Sequence, residues 1–318
     1  MRNKLFFIIL LAGAGYTASA QQDAHFSHYM FNQALYNPAW LTQEKSGYVY
    51  ALHRTQWAGY ATSFDGSGGA PTTQQFNFGM PLATMPGAVG VTAIHDQLGP
   101  LTNVHLQFLG AYYKNFNRGR VSLGLRPSLV MQTIDFDQWR FVDPNDPLNK
   151  GGRESQLRPD LSFGAMYSNT DFYLGVGINH ILSPSFDFGI AQIENRLERS
   201  VNLMAGYSFK PTYNLEVSPS FLVRSTFKTF TFDASAIATY QNKLWGGLGF
   251  RESEAMIVLL GYNFLKDGIL KVGYSFDYVI ESREAKQSTS HEVFVRYKLG
   301  GLTGGGGKKI IRTPRFRF

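Results

Sequence analysis

From Thr229 to Tyr240 the chain alternates with a period of two. Phe230, Phe232, Ala234, Ala236, Ala238 and Tyr240 make one face; Thr229, Thr231, Asp233, Ser235, Ile237 and Thr239 make the other. The pattern recurs: Val201, Leu203, Ala205, Tyr207 and Phe209 oppose Asn202, Met204, Gly206, Ser208 and Lys210, and Phe172, Leu174, Val176 and Ile178 oppose Tyr173, Gly175, Gly177 and Asn179. Period two is the signature of a β-strand with one apolar face. A soluble sandwich gives the same alternation with its apolar face turned inward. Strand number, strand length and loop asymmetry separate the two.

The sequence predicts fourteen strands, near 47–57, 72–83, 87–95, 101–115, 119–133, 158–168, 170–182, 199–210, 213–225, 228–240, 242–251, 253–265, 268–282 and 288–299. Most reach the roughly 9–11 residues that a tilted strand needs to cross a bilayer. Tight connections, such as Asn117-Arg118, Asn169 and Gln241, follow the even-numbered strands, and long ones, notably Ile134 to Leu157 and Ser183 to Glu198, follow odd-numbered strands. Short turns at one end and long loops at the other mark an outer-membrane barrel. The expected fold is therefore an all-β, transmembrane antiparallel β-barrel of about 14 strands, both termini periplasmic and the long loops outside.

Composition agrees. Aromatics at 15% and 33 glycines are high, charged residues at 17% are low, and there is no cysteine to build a disulfide scaffold. The one strongly apolar segment, Leu5 to Ala14, follows Arg2 and Lys4 and precedes Ala18-Ser19-Ala20. That is a secretory signal peptide, expected to be cleaved after Ala20, and it is too short to span a membrane as a helix. The expected organisation is a signal peptide at 1–20, an N-terminal periplasmic or plug segment at 21–46, an outer-membrane barrel at 47–299 and a flexible basic periplasmic tail at 300–318.

The N-terminal segment carries Phe26, Tyr29, Met30, Phe31, Asn32, Tyr36, Asn37 and Pro38 outside any strand. These rings need either a lumen or a partner to bury against, and Arg54, Gln56 and Trp57 at the end of the first strand suit a recognition contact. The tail follows Gly304 to Gly307 with Lys308, Lys309, Arg312, Arg315 and Arg317. It suits an acidic partner or an anionic membrane face, or it is a solubilising extension. Tyr112, Tyr113, Phe116, Trp139, Phe172, Tyr173, Tyr240 and Trp245 stand near strand ends, where rings form interfacial girdles or simply favour strands.

Catalytic motifs are lacking. Gly304 to Lys309 has the wrong spacing for a phosphate loop, and no Gly-x-Ser-x-Gly elbow occurs. His25 and His28 lack a third metal ligand, and Asp135, Asp137, Asp143 and Asp146 follow no calcium-loop spacing. No enzyme activity, cofactor or nucleic-acid partner is expected.

Gln22 to Trp40 forms an aromatic, amide-rich opening; Arg54-Thr55-Gln56-Trp57-Ala58-Gly59, Pro71-Thr72-Thr73-Gln74 and Asp96-Gln97-Leu98-Gly99 follow it. Pro159-Asp160, Phe163-Gly164, His180, Ala205-Gly206-Tyr207, Asn242 to Gly247 and Ser290-His291-Glu292 come after in order. Together they resemble the PorP/SprF outer-membrane proteins of type IX secretion. Gln33-Ala34, Trp40 and the tail from Gly300 depart from the family pattern. The resemblance implies an outer-membrane barrel of the secretion and gliding apparatus. Its implied partners are membrane lipid, other secretion components including periplasmic peptidoglycan-associated subunits, and a secreted adhesin or cargo C-terminal domain. The competing reading is an outer-membrane channel for small or hydrophobic solutes.

Overall fold

The computed structural model describes residues 23–60, 69–138, 151–188, 195–265, 268–281 and 287–303, with side chains to 300. The expected signal peptide, most of the basic tail (Lys308, Lys309, Arg312, Arg315 and Arg317 included), Trp139, Asp143 and Asp146 lie outside them.

Fourteen crossings close into an antiparallel barrel. They are β1 (Ser46–Thr55), β2 (Thr72–Pro81), β3 (Gly87–Leu98), β4 (Leu101–Phe116), β5 (Gly119–Asp135), β6 (Arg153–Ser168) and β7 (Phe172–Asn179). A two-stranded hairpin of β8 (Ser185–Phe186) and β9 (Asn195–Arg196) follows. The eighth crossing is β10 (Ser200–Tyr207), interrupted at Ser208 and continued by β11 (Phe209–Thr212). The last six are β12 (Leu215–Ser225), β13 (Phe230–Tyr240), β14 (Leu244–Arg251), β15 (Ala255–Phe264), β16 (Leu270–Val279) and β17 (Thr289–Thr303). Neighbours in sequence pair, β10 bridges β7 and β12, and β1 closes the ring against β17 with Arg54 opposite Glu292. Closure leaves no free sheet edge, which a spanning sheet requires.

The two ends differ as the sequence predicts. One carries the short turns 82–86, 117–118, 169–171, 213–214, 241–243 and 265–269. Gln241 and Asn242 both have positive φ, 51° and 55°, so the β13–β14 turn has the backbone hand that suits a two-residue hairpin. The other end carries 56–71, 136–152, 180–199 and 280–288, together with short links at 99–100, 226–229 and 252–254. The loop expected over Ile134 to Leu157 is shorter than predicted. The β5–β6 ladder runs on to Asp135 opposite Arg153, where Arg153 Nε donates to Asp135 Oδ2 over 2.8 Å. At the mouth, Phe186, Phe188 and Leu197 pack on Val130, Ile134 and Phe136.

The apolar stripe faces outward. Leu125, Leu174, Leu203, Phe221, Leu248 and Leu260 are exposed, whereas Asn202, Asp233 and Ser235 on the opposite face are buried. An apolar exterior of this extent is stable only in lipid. No helix among the described residues is long and apolar enough to cross a membrane.

Residues 23–45 lie inside the barrel, mostly as 3-10 turns at Tyr29–Phe31, Gln33–Leu35 and Pro38–Gln43. Asn37 caps the last of these by accepting from Ala39 N, and Pro38 starts it, where a missing N–H is harmless. The sequence reading leaves 21–46 as a periplasmic or plug segment. In the structure Asp23 bonds to His180, which follows β7 at the long-loop end, and the chain reaches the short-turn end at Ser46, so the described residues of the segment lie as a plug. Polar positions along the inner face of the strands draw the segment through the lumen.

Ala236 faces lipid near the middle of β13, so Ala236→Arg should cost roughly 2–4 kcal/mol of insertion free energy. Thr231→Arg, which faces the interior cavity at the long-loop end, should insert normally. Equal yields of both variants in the membrane fraction would reverse the face assignment.

Candidate functional site

The interior is a plug held by three sets of contacts, at the long-loop end, the waist and the short-turn end. At the long-loop end, strands contribute charges from inward positions. Arg54 Nη1 lies 2.8 Å from Asp277 Oδ2 and 3.3 Å from Glu292 Oε2. Ser27 joins them, its Oγ donating to Asp277 over 2.6 Å and its N–H to Glu292 over 2.9 Å. Glu292 also accepts from the His28 backbone N–H at 2.9 Å and from His28 Nδ1 at 2.7 Å. Beside this cluster, Arg251 Nε donates to Asp233 at 2.7 Å and Arg251 Nη2 to the carbonyl of Phe26 at 3.0 Å. Arg224 Nη2 donates to Asp233 and to His25 Nδ1, each at 2.9 Å. Burial, reinforced by Arg224, holds His25 at a pKa of about 4, so its ring is neutral and able to accept that bond. Removing one member of such a buried set costs about 3–5 kcal/mol because its partners are left uncompensated.

At the waist, amides and bare glycines do the holding. Asn32 exchanges hydrogen bonds with Gln75 at 2.6 and 3.1 Å and accepts from Asn77 at 2.9 Å. Tyr29 donates to the Ser220 carbonyl at 2.8 Å. Gly124, Gly164 and Gly177 stand opposite one another on β5, β6 and β7. A Cβ at any of them would overlap the plug backbone at Ala39, the Asn37 side chain or the Tyr36 carbonyl. This row is a track on which 36–39 lies against bare sheet. Asn37 Nδ2 then donates to Ala165 O at 3.0 Å, and Asn202 Nδ2 to Tyr36 O at 3.2 Å.

Near the short-turn end, Phe31 packs on Trp245 and Phe294, with Lys271 Nζ 4.4 Å from the Phe31 ring centroid. Thr42 and Ser122 hydroxyls meet at 2.7 Å, and Arg120 donates to Thr42 O at 2.8 Å. Arg296 pairs with Glu44. Two cavities lie on either side of the plug. One of about 980 Å³ opens among the long loops, and one of about 330 Å³ among the short turns.

The structure gathers most of the sequence-predicted site residues in this interior. Phe26, Tyr29, Asn32, Tyr36, Asn37, Pro38 and Arg54 are buried, and Met30 and Phe31 half-buried. Arg54 is not available to anchor a partner, because its guanidinium is 1% exposed and engaged by Ser27, Asp277 and Glu292. Gln56 and Trp57 lie apart in the loop beyond β1. Gln56 Nε2 reaches Glu254 at 3.3 Å, and Trp57 N donates to Ser290 Oγ at 3.0 Å. Trp245 and Tyr173 are not girdle rings: Trp245 is buried beside Phe31, and Tyr173 accepts from Gln33 at 2.6 Å. Inward Asp233, Arg251, Asp277 and Glu292 went unrecognised as site residues. Their signal was charge on the polar face of otherwise apolar strands. His25 and His28 reach different partners, and the described residues hold no group of three metal-ligating side chains.

The family described as type IX secretion system membrane protein PorP/SprF matches residues 18–297. The chain belongs to that family. PorP/SprF membership makes it an outer-membrane component of type IX secretion, with other secretion components as partners. No curated protein matches. Among solved structures, the barrel of this PorP/SprF protein is similar to the toluene transporter TodX of P. putida, at 10% identity and TM-score 0.52, covering 84% of this chain and 94% of that one. It is also similar to the CymD monoaromatic hydrocarbon channel, at 13% identity and TM-score 0.50, covering 90% and 95%. At such identities the likeness is one of fold.

Gly164→Leu should leave the outward face intact yet displace Asn37 and Pro38, so the barrel should insert while residues 23–45 become open to protease. Retained protection would show that the glycine track does not seat the plug.

His180 predicts a pH dependence. Burial lowers its pKa, but the Asp23 carboxylate and hydrogen bonds to Asp160 and Asp23 outweigh this and raise it from 6.5 to about 10. Desolvation would raise Asp23, yet His180 holds it well below its usual 3.8. A raised histidine contributes stability that is complete below 6.5 and lost as pH rises through about 10. The depressed Asp23 contributes above 3.8 and loses that as pH falls. The unfolding temperature of the parent should therefore exceed that of Asp23→Asn at neutral pH, and the difference should vanish as pH rises through about 10. A difference that survives above that pH would mean the contact is not ionic.

Proposed function

We propose that this barrel serves type IX secretion by holding protein partners at its two mouths, with its lumen closed to solute. The observation that carries this reading is the N-terminal segment, which fills the lumen between two separate cavities and is bonded to strands around the ring. A path for solute would have to break the buried ion pairs at the long-loop end and the amide bonds at the waist. A partner meets no such obstacle at either mouth.

On this reading the long-loop mouth faces a secreted adhesin or the C-terminal domain of exported cargo. The short-turn mouth faces periplasmic components, including peptidoglycan-associated subunits. The basic tail, Lys308, Lys309, Arg312, Arg315 and Arg317, adds attraction for an acidic partner or anionic lipid on the periplasmic side. The protein has no enzymatic role, and gliding would be served through anchored adhesins. A second reading, a gated channel for hydrophobic solutes, draws support from the fold shared with TodX and CymD.

Deleting Asp23 to Asn32 behind an intact signal peptide separates the two. Under the partner reading, the parent should show no conductance in a planar bilayer, and the deletion should abolish secretion in cells. Solute flux through the parent, with secretion unimpaired by the deletion, would favour the channel.

A further inference from the structure

The plug has a direction. Asp23 lies on His180, just beyond β7 at the long-loop end, and its carboxylate is 41% exposed. His25 then meets Arg224, the penultimate residue of β12, and Phe26 O meets Arg251, the last residue of β14, both at that same end. Asn32 contacts Gln75 and Asn77 at the waist. Thr42 contacts Ser122, near the start of β5, and Gln43 contacts Ser168, the last residue of β6, both at the short-turn end. Ser46 then enters β1. The segment thus starts at the long-loop end and leaves at the short-turn end, with a partial return at Leu35 and Tyr36, which line the long-loop cavity after Met30, Phe31 and Gln33 have lined the short-turn one.

In an outer-membrane barrel the short turns face the periplasm and the long loops face outward. We propose that the chain is threaded with its amino end toward the cell surface, so that Asp23, its carboxylate 41% exposed, stands among the outer loops and is open to partners there. Asp23, His25 and Phe26 line the outer cavity of about 980 Å³. The opposite end of the plug, Trp40 to Lys45, belongs to the periplasmic mouth. One covalent segment thus joins the two faces across a barrel that is otherwise closed.

β1 continues directly from the plug and forms the closing seam with β17. The inference concerns orientation and stands whether the protein holds partners or passes solute.

The chain contains no cysteine, so single cysteines report cleanly. Gln22→Cys, Phe227→Cys in the β12–β13 loop and Asn117→Cys in the β4–β5 turn would be exposed in intact cells to a membrane-impermeant maleimide. Correct insertion of each variant would be checked by heat-modifiable migration. Gln22→Cys and Phe227→Cys should label in intact cells, and Asn117→Cys only after permeabilisation. Labelling of Gln22→Cys that needs permeabilisation, or that occurs only after denaturation, overturns the threading. So does surface labelling at Asn117→Cys with protection at Phe227→Cys, which would invert the barrel.

Discussion

Buried charge in the lumen is the constraint on which the rest of the interior depends. Arg54, Arg224 and Arg251 point inward from three strands, and Asp233, Asp277, Glu254 and Glu292 answer them. In an empty lumen water would solvate these groups. In a filled one, each needs a partner, because an unpaired buried charge costs several kcal/mol. The plug contributes polar atoms of its own: Ser27 and His28 donate to Glu292, and Phe26 O and His25 accept from Arg251 and Arg224. Barrel and plug therefore specify each other, and the aromatic rings of the segment find burial only where these bonds place them.

Shape complements charge. The glycine row on β5, β6 and β7 lets the backbone at 36–39 approach the sheet more closely than any side chain would allow. Gly261 and Gly273, opposite one another on β15 and β16, make the same kind of room for the Trp245 ring. Glycines in strands lower intrinsic strand preference; here they exchange it for contact with the plug. The outer end is held by the His180–Asp23 ion pair and responds to pH, while the inner end combines the packing of Phe31 on Trp245, the Thr42–Ser122 hydroxyl bond and the Arg296–Glu44 ion pair.

The exterior was legible in the sequence because the membrane tolerates only one pattern on a spanning strand. Alternation at Phe230 to Tyr240 and at Val201 to Phe209 gave both the strands and their faces, and all fourteen crossings follow from that period. Boundaries shifted where a local bond extended a ladder, as Arg153 does for Asp135. Girdle rings were harder. Tyr173 and Trp245 stand near strand ends like Tyr112 and Tyr240, but they fall on the inward phase of their strands, next to the inward Gly175 and the plug ring of Phe31. Their phase was readable; the plug that gives them a partner was not.

What the sequence determined by itself is local: period-two strands, tight turns at one end and a run of aromatic and amide residues unable to form a strand. These depend on neighbours within a few residues, so the linear order carries them. What the tertiary structure decided is non-local: that Glu292 lies over Ser27 and His28, that Gly124, Gly164 and Gly177 align into one track, and that Asp23 ends at the outer mouth beside His180. The Glu292 and Asp23 pairings span more than a hundred residues of chain, and the glycine track joins three strands. They exist only once the barrel closes and its curvature brings inward positions of distant strands around a single segment.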